Sequence, residues 1–188
     1  MPSILTTPPA LEPVTLAEAK AHLRVTHADE DAYISTLIKT ARLGVESLTG
    51  LGLITQGWSM FLDSWPESGV IKIPHAPVLD VTDIKTYADD NTATTINQAY
   101  YSEDRVSRPP RIVLRPAYTW AKPGRVANGI EVLLSIGFGA TAASVPEPLR
   151  EAVLQLIAHW YGARGDEPGP ELPRMVSNLI QPYREVHL

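Results

Sequence analysis

The chain has 188 residues, a size that suits one ordinary domain or one domain carrying an insertion. It holds no cysteine, which excludes a disulfide scaffold, a zinc ribbon, an iron–sulfur site and a thiol nucleophile. With 44% hydrophobic and 20% charged residues it reads as globular, and a net charge of −5 excludes a generally basic, phosphate-seeking surface.

The segment from Met1 to Pro13 carries no basic residue ahead of an apolar run and is broken by Pro2, Pro8, Pro9 and Pro13. It is therefore expected to be an extended piece, residues 1–14, and not a signal peptide. No proline lies between Pro13 and Pro66. Because proline removes a backbone donor and breaks helix interiors, that gap is where helices can run. Thr15 with Glu18 three residues later is a capping-box pattern, and Leu16, Ala19 and Leu23 follow on one helical face. A second helix is expected from the acidic start Asp29-Glu30-Asp31, with Ile34, Leu37, Ile38, Ala41, Val45 and Leu48 as its apolar stripe and Gly50 and Gly52 as its stop. Residues 15–55 thus make a first helical part.

Residues 56–143 change period. Trp58, Met60 and Leu62 alternate with Ser59, Phe61 and Asp63. Val70 to Ile73, Val78 to Tyr87, Tyr100-Tyr101, Arg111 to Arg115 and Ile130 to Ile136 bring the expected strands to six, with Asp89 to Thr92 as a turn. Seven of the 17 prolines fall from Pro66 to Pro123, at the margins of these runs, where strand edges tolerate them. A small antiparallel sheet or barrel follows. The longest uncharged run, Val132 to Pro146, contains Gly137 and Gly139 and is too short to span a membrane.

Residues 144–188 are helical again. Pro146 and Pro148 with Glu147 suit a helix start, and Leu149, Ala152, Val153, Leu156, Ile157 and Trp160 form a stripe. A Gly- and Pro-rich linker from Gly162 to Pro173 leads to a last short helix from Arg174 to Gln181, stopped by Pro182. The fold class expected is α+β, one domain in which N- and C-terminal helices form a bundle and a small antiparallel β subdomain is inserted between them.

The search for chemistry yields no catalytic set, so no enzyme is expected. Gly50-Leu51-Gly52 follows a helix rather than a strand, which argues for a helix stop over a dinucleotide loop. Asp89-Asp90-Asn91 lacks the sixth-position glycine and final glutamate of a calcium loop and reads as a turn. His22 and His27, beside Asp29 and Asp31, read as solvent-facing turn residues rather than metal ligands. His159 belongs on the polar side of its helix. No cofactor and no metal site is expected.

Two features suggest partners. From Arg105 to Arg125 six basic residues (Arg105, Arg108, Arg111, Arg115, Lys122, Arg125) stand with no acid among them, interleaved with Tyr118 and Trp120. They suit nucleic acid or an acidic partner, or else a solvated hairpin whose charges meet acids elsewhere in the fold; the overall −5 favours the hairpin. The C-terminal Met175, Val176, Leu179, Ile180 and Tyr183, next to Arg184, either fold back on the bundle or offer an apolar anchor to a partner groove; composition favours folding back.

The order of these pieces is familiar. Pro13-Val-Thr-Leu-Ala-Glu-Ala-Lys-Ala-His-Leu-Arg-Val, the Asp29 start and the ending Val45-Glu-Ser-Leu-Thr-Gly resemble the opening of head–tail connector (adaptor) proteins of long-tailed double-stranded DNA phages and related gene transfer agents. Ile136-Gly-Phe-Gly, Val145-Pro-Glu-Pro-Leu-Arg, the helix Ala152 to Tyr161 and Leu179-Ile-Gln-Pro-Tyr-Arg continue the likeness over nearly the whole chain. The resemblance implies a structural virion component at the head–tail joint. It implies a closed ring of roughly twelve copies docked beneath the portal protein, meeting a stopper or tail-completion protein on its other face. Duplex DNA would pass through its lumen without specific binding, and no membrane is involved. It also implies that the C-terminal segment, with Met175, Val176, Leu179, Ile180, Tyr183 and Arg184, is the arm that contacts the portal. The alternatives are another neck protein (stopper or tail completion), a DNA-binding packaging accessory using 105–125, and a small enzyme or carbohydrate-binding module using the β insert.

Overall fold

The computed structural model describes residues 1–163 and 172–184. The chain divides into two compact units, each assembled from two separate stretches: Met1–Pro9 with Thr55–Gly137, and Ala10–Ile54 with the residues from Phe138 onward. The first unit is built of strands and loops with one short 3-10 turn at Gln98–Tyr100, and the second is helical, so the fold is α+β with a helical bundle and an antiparallel β subdomain.

In the helical unit, α1 (Leu16–Leu23) begins on the expected capping box. The Glu18 amide donates to Thr15 Oγ1 at 3.2 Å, and the Thr15 amide donates to Glu18 Oε2 at 2.7 Å. Two of the amides that a helix start leaves unpaired are thereby satisfied. α2 (Asp31–Thr49) buries Ile34, Leu37, Ile38, Ala41 and Val45, the expected stripe, with Leu48 half-buried beside them. Of the three acids at its start, Asp31 lies in the first turn and meets Lys20 Nζ at 2.6 Å, while Glu30 at the cap position makes no side-chain cap bond. Gly50 ends α2 with φ 72°, a conformation glycine enters without a Cβ penalty. α3 (Glu147–Gly162) starts after Pro146 and buries Leu149, Ala152, Val153, Leu156 and Ile157. α4 (Arg174–Ile180) packs against α3 and adds Val176 and Ile180 to the same core.

The β unit has eight strands: β1 (Ser3–Thr7), β2 (Gln56–Leu62), β3 (Val70–Lys72), β4 (Val78–Tyr87), β5 (Ala93–Thr95), β6 (Tyr101–Asp104), β7 (Arg111–Leu114) and β8 (Ile130–Ile136). Two sheets result, one of order β1-β2-β8-β4-β5 and one of order β3-β7-β6, antiparallel throughout. β8 is central, and its Ile130, Val132, Leu134 and Ile136 all point into the core while Glu131, Leu133 and Ser135 are half-exposed. That period of two is why this stretch is a strand. Met60, Val81, Ile84, Ile71 and Ile112 complete the core from other strands, with Ile73 just past the end of β3.

The structure adds two strands, β1 and β5, to the six expected from sequence. Both are short edge strands with no buried face to impose an alternating pattern. β1 is held by the edge of β2, with Ser3 opposite Met60 and Leu5 opposite Trp58. β5 returns along β4 after the turn at Asp89 to Thr92.

Candidate interaction surfaces

The C-terminal segment is split by the helix period. On α4, Val176 and Ile180 are one turn apart and fully buried in the bundle, with Leu179 and Tyr183 half-buried beside them. Met175 faces solvent with 52% of its surface exposed, and Arg184 is exposed as well. Thus α4 folds back on the bundle, with Met175 outward on the helix and Arg184 outward beyond its end. The expected linker 162–173 lies largely outside the described residues, as do residues 185–188.

The basic stretch does not converge into one patch. Arg105 Nη2 meets Asp80 Oδ1 at 2.9 Å and Glu103 Oε2 at 2.6 Å, and its Nη1 donates to the Leu79 carbonyl. The Glu103 carboxylate pushes the Arg105 guanidinium still further above its ordinary range. Arg111 Nε donates to Asp104 Oδ2 at 2.8 Å. Asp104 also accepts from the Ser107 hydroxyl at 2.7 Å and the Ser107 amide at 3.0 Å, and these bonds, with Arg111, hold its carboxyl well below the usual carboxylate range. Arg115 Nε donates to Ser102 Oγ at 3.2 Å. Arg125 donates to Asn91 Oδ1 at 2.7 Å and lies 4.0 Å above the Tyr87 ring, a cation–π contact. Among the described residues Arg108, Arg115 and Lys122 have no carboxylate within salt-bridge distance.

The interleaved aromatics are used within the fold. Tyr118 stacks on Tyr100 with ring centroids 4.0 Å apart, and Trp120 packs on Trp65 at 4.8 Å. Trp65 Nε1 donates to the Ala121 carbonyl at 2.9 Å. The loop between β7 and β8 is closed down by these rings. Asp90 Oδ1 accepts the Thr92 amide at 2.9 Å, and Asn91 has φ 68°, so Asp89 to Thr92 is an Asx-type turn. His22 and His27 are exposed, and His159 is half-buried. Among the described residues no group of three or more His, Asp or Glu side chains is placed to hold a metal ion. No helix among them is long and apolar enough to cross a membrane.

A further surface was not singled out by the sequence. The five-stranded sheet is open, and its two edges are β1 and β5. Ile4 and Leu5 on β1 are 55% and 43% exposed, and all three β5 residues face solvent. The clue available in sequence was β-branched Ile4, Thr6 and Thr7 within a proline frame, which reads equally as unpaired extended chain. Ser3 Oγ lies 2.8 Å from His75 Nε2, and the His75 ring lies 4.3 Å from that of Trp58, so β1 is tied to its sheet by side chains too.

Comparison with known proteins gives a consistent set. A family model described as Phage gp6-like head-tail connector protein matches residues 13–109. No curated protein matches the sequence. A chain from the neck of an empty gene transfer agent (GTA) particle with C6 symmetry is 26% identical with a TM-score of 0.87, over 100% of this chain and 97% of that one. A chain from the neck of a native GTA particle with C12 symmetry is 26% identical with a TM-score of 0.79, over 98% and 97%. A chain from the virion of a native GTA particle shares the fold at 23% identity, with a TM-score of 0.85 over 100% and 97%.

Proposed function

The chain belongs to the Phage gp6-like head-tail connector protein family, and on that premise we propose that it is the adaptor that docks beneath the portal and joins the DNA-filled head to the tail. Its role is structural, at the head–tail joint of a virion. The observation that carries the finer reading is the likeness over the whole chain to a neck subunit of a GTA particle, at a TM-score of 0.87.

The working form is a closed ring of roughly twelve copies, the outcome when one patch of a subunit meets a different patch of its neighbour. The neck particles with C6 and C12 symmetry support this arrangement. Portal protein lies on one face of the ring and a stopper or tail-completion protein on the other. The portal contact is the C-terminal segment: Val176 and Ile180 seat α4 on its own bundle, and Met175, Arg184 and the half-exposed sides of Leu179 and Tyr183 meet the partner. DNA passes through the lumen without being gripped. A net charge of −5 supports this, as does the neutralisation of Arg105 and Arg111 by local acids, because each lysine or arginine free to meet a phosphate would add to the affinity.

Met175→Asp and Arg184→Glu test the portal contact in place of truncation, since removing α4 would also remove buried core. Both variants are expected to melt like the parent and to lose most of their co-sedimentation with portal-bearing heads, roughly tenfold or more. Normal association of both variants with heads would eliminate the C-terminal segment as the portal contact.

A further inference from the structure

We propose that neighbouring copies in the ring are joined through the free edges of the five-stranded sheet, β5 of one copy pairing in parallel with β1 of the next. The inference rests on the ring described above and names the surface that closes it.

A cyclic assembly needs two different, complementary patches on each subunit, so that every copy offers one to each neighbour. An open sheet with unlike edges meets that requirement. Among the described residues β1 pairs only with β2, and β5 only with β4, so each leaves one row of backbone amides and carbonyls without a strand partner. Such a row is a template for another strand. Four successive antiparallel pairings separate β1 from β5, so the two run in the same direction. Neighbours in a ring of C12 symmetry are turned by only about 30°, so an edge strand of one copy meets the opposite edge of the next in nearly the same direction. The pairing is therefore parallel, with evenly spaced, slanted hydrogen bonds.

Chemistry separates these two edges from the others. Folded proteins commonly guard free edges with charged side chains. The small sheet follows that habit, with Lys72 on β3 and Glu103 and Asp104 on β6. β1 (Ser-Ile-Leu-Thr-Thr) and β5 (Ala-Thr-Thr) carry no charge at all. Instead Pro2 and Pro8-Pro9 bracket β1, so the edge that accepts a partner is limited to five residues. Ile4 and Leu5, half-exposed in the single subunit, would be covered by the incoming strand.

The absence of cysteine makes the test clean. Ile4→Cys or Leu5→Cys is combined with Thr94→Cys or Thr95→Cys, four double variants that sample both faces of the pair. All four positions are exposed, so the subunit should fold unchanged. Assembled particles are oxidised and run on a denaturing gel without reductant, and their necks are viewed by electron microscopy. At least one double variant should give a ladder of covalent multimers rising to the full ring, while single variants remain monomeric. Necks that carry a cyclic ring but give no ladder in any double variant would overturn the edge pairing and leave the ring standing. Covalent dimers from a β1 single variant would overturn it also, because they report β1 against β1. Necks without a cyclic ring of this protein would overturn both readings.

Discussion

At the scale of single residues, the helix start at Thr15 was legible because its physics is local. A hydroxyl three residues ahead of a carboxylate can satisfy two orphan amides within one turn, whatever the rest of the chain does. Thr15→Ala should cost about 1 kcal/mol, read by chemical denaturation. His75 is the opposite case, since its partners Ser3 and Trp58 are brought to it only by folding. Burial holds its imidazole below the ordinary value of 6.5. A group whose pKa is lower in the folded chain stabilises above the unfolded value and loses that contribution as pH falls. Melting temperature should therefore begin to fall below about pH 6.5, and His75→Gln should flatten that first phase. A second decline belongs to the carboxylates. Glu18, whose pKa is lowered chiefly by the Thr15 amide, loses its contribution below its ordinary 4.5, as Asp104 does in its own range. That phase should persist in the His75 variant.

At the scale of elements, α2 and α3 were legible because a long apolar stripe repeats often enough to exclude a strand. α4 divides sharply between a buried and an exposed side. Val176 is fully buried and Met175 is half-exposed, although they are adjacent. Val176→Ala should destabilise the protein by about 1–3 kcal/mol, whereas Met175→Ala should change stability by less than about 0.5 kcal/mol. Denaturant midpoints separate the two. β1 and β5 are not legible in the sequence because five and three residues on a sheet edge carry too few buried positions for a period to form. What makes β1 a strand is the edge of β2 beside it, whose paired residues lie 50 or more positions away in the chain. Gly124 carries a similar lesson. It is exposed, yet a Cβ there would stand 2.4 Å from the Asp89 amide nitrogen, so the β4–β5 turn accepts only glycine beside it.

At the scale of the whole molecule, the basic run 105–125 stood out in sequence as a block of one sign. Folding spreads it: Arg105 and Arg111 meet acids, Arg125 caps Tyr87, and Tyr118 and Trp120 close their own loop. Duplex DNA should therefore bind the purified subunit weakly. Filter binding at two salt concentrations should show little salt dependence, because few phosphate contacts release few counterions. The sequence by itself determined the alternation of helical and β blocks, the helix starts and stops, and the family likeness, since capping, proline placement and apolar period act between near neighbours. Only the tertiary structure decided which strands lie at the sheet edges, which charges are neutralised, and which side of α4 is buried. Those depend on residues far apart in the chain meeting in space, and no local pattern records such meetings.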